Sequence, residues 1–166
     1  YAQEGFPLSD PRLGKRVDLL GLIQRIAALP GDFRIRLSSI EVTDLTDRFL
    51  EAYAMLAKTV PYFHVPLQSG SDKVLAAMKR WHSADFYKSR IEAARRLIGR
   101  DVSIFTDFMV GFPTETQEQF LESVNFVERL GLSGLHIFHY SNREGTPAAG
   151  LRLVYSKDEL AGRMGC

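Results

Sequence analysis

Apolar positions follow two periods along this chain, and the two alternate. Val17, Leu20, Ile23 and Ala27, with Leu19 beside them, form one helical stripe across 14–29, ended by Pro30-Gly31. "FRIRLSS" (33–39) alternates and then turns polar, as a strand does at its mouth. Thr43 or Thr46 caps a helix to about Lys58, with Leu45, Phe49, Ala52, Tyr53 and Leu56 on its inner side. "YFHVPLQS" (62–69) reads as a second strand; Gly70 opens a helix to about Arg80, and Ser83 caps another over 84–98. "VSIFTDFMV" (102–110) is a third strand and 115–130 the next helix. "GLHIFHYS" (134–141) is a fourth strand, and Ser156 caps a last helical stretch.

Four strands alternating with helices long enough to cross over a sheet predict consecutive βαβ units and a parallel sheet, an α/β fold. No composition shift, linker or low-complexity segment divides the chain, so 1–166 reads as one unit. Each strand ends in small or polar residues: Ser38-Ser39-Ile40-Glu41, Gln68-Ser69-Gly70-Ser71, Gly111, and Tyr140-Ser141-Asn142. In a parallel barrel or doubly wound sheet those ends share one face, where active sites are built. Periodicity alone leaves open sheet and closed barrel both available.

The stretch "TDFMVGFPTETQEQF" (106–120) is the most informative. Phe105, Phe108, Met109 and Val110 predict a strand buried on both faces. A strand of that kind seldom hosts an aspartate such as Asp107 without a partner or ligand. Gly111 permits backbone angles or a close approach that a side chain would block. Pro113 stops the strand, and Thr114 or Thr116 can cap a helix opened by Glu115, Gln117 and Glu118.

Bulk composition narrows the function classes. The 166 residues carry a formal net charge of +1, with 45% hydrophobic and 25% charged residues, ordinary for a globular protein. Such a balance gives no electrostatic reason to expect nucleic acid or a membrane surface. No apolar run reaches the length of a membrane span, and no signal-peptide pattern opens the chain. The single cysteine, Cys166, excludes a disulfide framework and a cysteine cluster, so a reducing cytoplasm is the expected compartment. Neither "YAQEGFPLSDPRLGKR" nor "ELAGRMGC" reads as a natural domain edge.

Candidate chemistry is sparse. Arg36 either enters the interior with Glu41 as a carboxylate partner or faces out of an edge strand. His64 reads as a hydrogen-bonded core histidine, and His82, beside Trp81, as exposed. His136 and His139 lie three apart on a strand and point to opposite faces, so no metal site follows from the four histidines. Gln68, Ser69 and Ser71, with approachable backbone at Gly70, suit a ribose or a carboxylate. Thr106 and Asp107 join them. Phosphate-loop, dinucleotide and serine-hydrolase signatures are absent. The residues by themselves give a ligand-binding α/β domain with no catalytic group.

Taken in series, "RIRLSSIEVTDLTD", "HVPLQSGSDKVLAAMKR", "TDFMVGFPTETQEQF" and "LHIFHYSNREGTPAA" resemble the radical S-adenosylmethionine (SAM) methylthiotransferases, the MiaB-like family. The resemblance covers about residues 14–150, and Ser38-Ser39-Ile40-Glu41 is most similar to the tRNA threonylcarbamoyladenosine branch. It implies a partial (β/α) barrel with parallel strands, the last four βα units of a six-stranded radical SAM barrel. It also implies S-adenosylmethionine across the strand mouths, beside a [4Fe–4S] cluster held by three cysteines in the parent protein. Val110 and Gly111 would present backbone to the adenine, with Gln68, Ser69, Thr106 or Asp107 near ribose or methionine, Ser39 and Glu41 at the mouth, and Tyr140 closing the adenine side. The parent would add a methylthio group to C2 of a modified adenosine next to the anticodon, with tRNA as its substrate.

Departures from the family pattern shape the expectation. The cysteine triplet is absent and Cys166 cannot replace it; Thr114 stands where the family has glycine, and Asn142 and Glu144 flank Arg143 in place of commoner residues. The N-terminal domain and the RNA-binding domain of the family have no counterpart here. The chain is therefore expected to be a fragment, inactive alone. The alternative is a binding or assembly module that self-associates through an open edge on the 33–39 strand.

Overall fold

The computed structural model describes residues 17–98 and 101–165; Cys166 and the first turn of the expected 14–29 helix lie outside them. Three strands, β1 (Tyr62–His64), β2 (Ser103–Val110) and β3 (Gly134–His139), form one parallel sheet in the order β1-β2-β3. Among the described residues six α-helices accompany it: α1 (Leu19–Ala27), α2 (Asp47–Ala54), α3 (Asp72–Ala77), α4 (Ala84–Ile98), α5 (Gln117–Leu130) and α6 (Lys157–Met164). Consecutive strands neighbour one another, as a partial barrel of βα units requires.

Helix boundaries follow local chemistry. Asp18, Thr46 and Ser156 cap α1, α2 and α6 through their side chains, so Thr46 rather than Thr43 opens the second helix. Thr116 caps α5 in a reciprocal pair with Gln119, leaving Glu115 just outside the helix. Gly131, at φ 56°, ends α5 in the left-handed conformation. Gly70 does not open α3, which starts at Asp72. Its role is proximity: a Cβ there would lie 2.7 Å from Phe126 Cβ and 2.9 Å from Ser123 Cα on α5.

Two strand expectations change. Residues 33–39 do not form a strand; the segment makes a single parallel bridge, Ile35 to Thr59, closed by bonds to Lys58 and Val60. Its alternate residues, Arg34 and Arg36, are exposed. Arg36 is exposed rather than buried with Glu41, and its guanidinium lies 3.8 Å from the centre of the Tyr62 ring. The second change concerns β2, whose burial alternates strictly instead of covering both faces. Ile104, Thr106, Phe108 and Val110 are buried; Phe105, Asp107 and Met109 are half-buried.

Register extends that alternation across the sheet. Asp107 pairs with His136, Met109 with Phe138, and Phe105 with His64. One face thus carries Tyr62, His64, Phe105, Asp107, Met109, His136 and Phe138. The opposite face carries Phe63, Ile104, the buried Thr106 and Phe108; Phe63, Ile104 and Phe108 join Tyr87 and Ile91 of α4 and Phe120, Val127 and Leu130 of α5 in one core. Each fully buried aromatic or aliphatic side chain there contributes about 1.5–3 kcal/mol. Most of the buried packing therefore lies on the helix-covered face, and the other face carries His64, Asp107 and His136 among half-buried or exposed aromatic and apolar side chains. We call these the outer and inner faces, after their places in a barrel.

Candidate functional site

Three strands each deliver one ionisable side chain to the inner face. His64 Nε2 lies 2.9 Å from Asp107 Oδ1, and His136 Nδ1 lies 3.4 Å from the same oxygen. The two imidazoles meet edge to face with centroids 5.1 Å apart. His64 Nδ1 is 2.9 Å from the Ser38 carbonyl, which fixes the ring. Access is graded: the side chains are 14%, 23% and 61% exposed for His64, Asp107 and His136. Sequence reasoning missed this cluster, because it treated the histidines singly, and only strand register joins residues so far apart in the chain.

The residues expected to hold a ligand divide. Gln68 follows β1 at φ 74°, and its buried Oε1 has no hydrogen-bond partner. The Tyr140 hydroxyl is likewise buried and unpartnered, its ring edge-on to Phe112 at 5.6 Å. Ser39 and Glu41 are exposed, and Glu41 pairs with Arg80 at 2.9 Å rather than with Arg36.

Ser69 and Thr106 have other employment. The Ser69 hydroxyl bonds Ser123 Oγ on α5 at 2.9 Å. Thr106 Oγ1 donates to the Val65 carbonyl at 2.7 Å and accepts from the Leu67 amide at 2.9 Å. Both residues are fully buried. Their hydroxyls pin the chain after β1 to the outer side of the sheet. Val110 is buried on that same side, and its carbonyl accepts from the Tyr140 amide at 2.8 Å.

Gly111 is held by the C-terminal segment. Its N–H donates to Glu115 Oε2 at 2.8 Å, and its carbonyl accepts from the Tyr155 hydroxyl. At φ 76°, with a Cβ position only 2.5 Å from Leu160 Cδ1, any side chain here would be strained, which favours glycine. Arg163 on α6 reaches Glu115 Oε2 and the Glu115 carbonyl, both at 3.2 Å, and donates through Nε to Gln117 at 3.0 Å. Burial pushes the Glu115 carboxyl up, against the opposing pulls of the Gly111 N–H and Arg163. The sequence presented Glu115 only as a helix-opening acid, and nothing local signalled its pairing with Arg163, 48 residues on.

His82 corrects another expectation: it is 7% exposed, packed 5.9 Å from the Tyr87 ring, while Trp81 takes the solvent position. Burial and the neighbouring Arg80 push its imidazole down to about 4, with Asp72 opposing.

Comparison with known proteins gives these observations a setting. The sequence profile described as Radical SAM superfamily matches residues 3–127. A protein of Chromohalobacter salexigens named tRNA-2-methylthio-N(6)-dimethylallyladenosine synthase is 41% identical over 140 residues, 84% of this chain and 31% of its own length. One of the same name from Ectopseudomonas mendocina is 43% identical over 138 residues, 83% of this chain and 31% of its own. The chain thus spans about a third of these relatives, whose names belong to the dimethylallyladenosine branch rather than the threonylcarbamoyladenosine branch suggested by Ser38–Glu41. Among solved structures, Escherichia coli coproporphyrinogen III oxidase, described as a radical SAM enzyme, superposes with a TM-score of 0.71 at 16% identity, over 88% of this chain and 35% of that one. That likeness is one of fold.

Proposed function

Because the chain belongs to the radical SAM superfamily, we propose that it is the C-terminal part of the barrel of a cytoplasmic tRNA methylthiotransferase, and that its inner face receives S-adenosylmethionine. The observation that carries the reading is the pair of orphaned polar atoms, Gln68 Oε1 and the Tyr140 hydroxyl, both buried at strand mouths without protein partners. Native structures rarely leave such atoms unmatched, and a polar ligand would satisfy them. Asp107, on the same sheet, accepts a ribose hydroxyl in this reading. Ser39 and Glu41 border the mouth. Ser69, Thr106, Val110 and Gly111 shape the wall through backbone position, their own polar groups being largely committed.

The chemistry of bond cleavage would come from S-adenosylmethionine and a [4Fe–4S] cluster in the parent protein. The residues present do not fit that cluster: the sequence has one cysteine, against the three that the family pattern needs. The chain's own share is to bind, orient and exclude water. We therefore expect weak SAM affinity and no methylthiolation by these 166 residues alone. Calorimetry with SAM should give a Kd at least about tenfold weaker for Gln68→Ala and Asp107→Asn, a loss of ~1.4 kcal/mol. Equal affinity in both variants would remove the site from the inner face. Nucleoside mass spectrometry after incubation with tRNA, SAM and a reductant should find no methylthioadenosine; its appearance would overturn the fragment reading.

A second reading rests on β3, an edge strand with Leu135, Ile137 and Phe138 exposed at 38%, 52% and 38%. An apolar edge of this kind pairs with other chains. This reading moves the self-association edge from 33–39 to β3. Sedimentation should show concentration-dependent association that Ile137→Lys reduces; a strictly monomeric wild type would eliminate it.

A further inference from the structure

We propose that His64, Asp107 and His136 form a binding site for a divalent transition-metal cation of the zinc type, supplying two imidazole nitrogens and one carboxylate oxygen. The inference does not rest on the methylthiotransferase reading.

Hydrogen-bond accounting at His64 is the first argument. The Ser38 carbonyl can only accept, so Nδ1, 2.9 Å away, carries the proton in a neutral ring. Nε2 then presents a lone pair to Asp107 Oδ1 at 2.9 Å, and an ionised carboxylate also only accepts. Two electron pairs at that distance need something positive between them. Among the described residues, the ion-pair partners of Asp107 are the two histidines alone. A second proton on His64 would answer for that pair but would leave His136 Nδ1 at 3.4 Å, beyond the usual 2.7–2.9 Å of a charged hydrogen bond to carboxylate. A cation answers for all three donors together.

Geometry is the second argument. Zinc binds nitrogen and carboxylate oxygen at about 2.0–2.2 Å, so two donors on a tetrahedral ion stand roughly 3.3–3.5 Å apart. The observed separations of 2.9 and 3.4 Å lie close to that spacing, and all three donor atoms lie within 4.8 Å of one another. His136 is the most exposed of the three, at 61%. The Ser38 carbonyl serves as the outer partner that orients a metal-bound histidine and sets its tautomer. Three protein donors on an open sheet face leave a fourth position for water or a ligand atom. Imidazole with carboxylate selects zinc, cobalt, nickel or ferrous ions over magnesium or calcium.

The probe is Co²⁺ alone, in metal-free buffer, titrated into the full chain carrying Cys166→Ser so that the terminal thiol cannot compete. The expected result is one equivalent bound, with visible d–d bands, and displacement by Zn²⁺. His136→Ala and Asp107→Asn should each weaken binding at least tenfold, while His139→Ala should leave it unchanged. His64→Gln is the third ligand variant; should it fail to fold, exposed His136 decides the matter. Absence of stoichiometric uptake, or uptake indifferent to His136→Ala, would overturn the proposal. Asp107 serves both readings, so Asp107→Asn does not tell them apart: loss of SAM affinity in Gln68→Ala reports on the SAM site alone, and loss of Co²⁺ uptake in His136→Ala on the metal site alone.

Discussion

Glu115 and Arg163 meet in the interior, 0% and 3% exposed at their side chains, and the pair is only partly satisfied because Glu115 Oε1 has no partner. Burial raises the carboxyl above its ordinary 4.5. The folded chain therefore holds that proton more tightly than the unfolded one, and this group's contribution to stability falls as pH climbs from about 4.5 through the raised value. His82 works the other way. Its imidazole is lowered from 6.5 to about 4, so the unfolded chain binds the proton better and stability is lost as pH falls through that interval. Urea denaturation across pH 4–8 should resolve the two: Glu115→Gln removes the loss on the alkaline side, and His82→Gln the loss on the acid side. Glu115→Ala, which strands a buried guanidinium, should cost about 3–5 kcal/mol at neutral pH. A neutral outcome would mean that Arg163 finds solvent once its partner is gone. Neither environment was legible in the sequence, because burial of a single ionisable residue depends on what the rest of the chain lays over it.

At the scale of elements, the sequence was a better guide. Helix starts were readable where a hydroxyl and a later Glu or Gln stand at capping distance, as at Thr116 with Gln119 and Ser156 with Glu159. Thr116→Ala should cost ~1 kcal/mol. The strand at 33–39 was misjudged because alternation shows that a segment can pair, not that a neighbour continues beside it. Gly70 was noticed for the wrong reason: its closeness to Ser123 and Phe126 depends on how α5 crosses the sheet. A Cβ meeting backbone at 2.9 Å cannot be relieved by a rotamer change, so Gly70→Ala should destabilise by about 1–3 kcal/mol, read as a lower thermal midpoint. An unchanged midpoint would show that α5 shifts freely.

Across the whole molecule, parallel order was legible because each crossover announces itself by a change of period, whereas the partial-barrel class came only from the family resemblance, period alone leaving open sheet and barrel both available. Of the candidate residues, Gln68 and Tyr140 were legible as polar residues at strand mouths and Asp107 as an aspartate inside an apolar strand, whereas the convergence of His64 and His136 on Asp107 required the register of three strands. Ser69 and Thr106 were polar for a different purpose, holding the chain after β1 against its neighbours. Type and position alone could not separate those two uses.

Strict alternation along β2 has a consequence for how this chain tolerates change. Odd-numbered positions from 103 to 109 face the side that carries Asp107 and even-numbered ones are buried under the helices, so the strand is two interleaved messages read in one frame. A substitution corrupts one letter of one message. A single-residue insertion or deletion before Asp107 swaps the messages, sending Phe108 to the inner face and Asp107 under the helices. Length, more than identity, is what this strand must preserve.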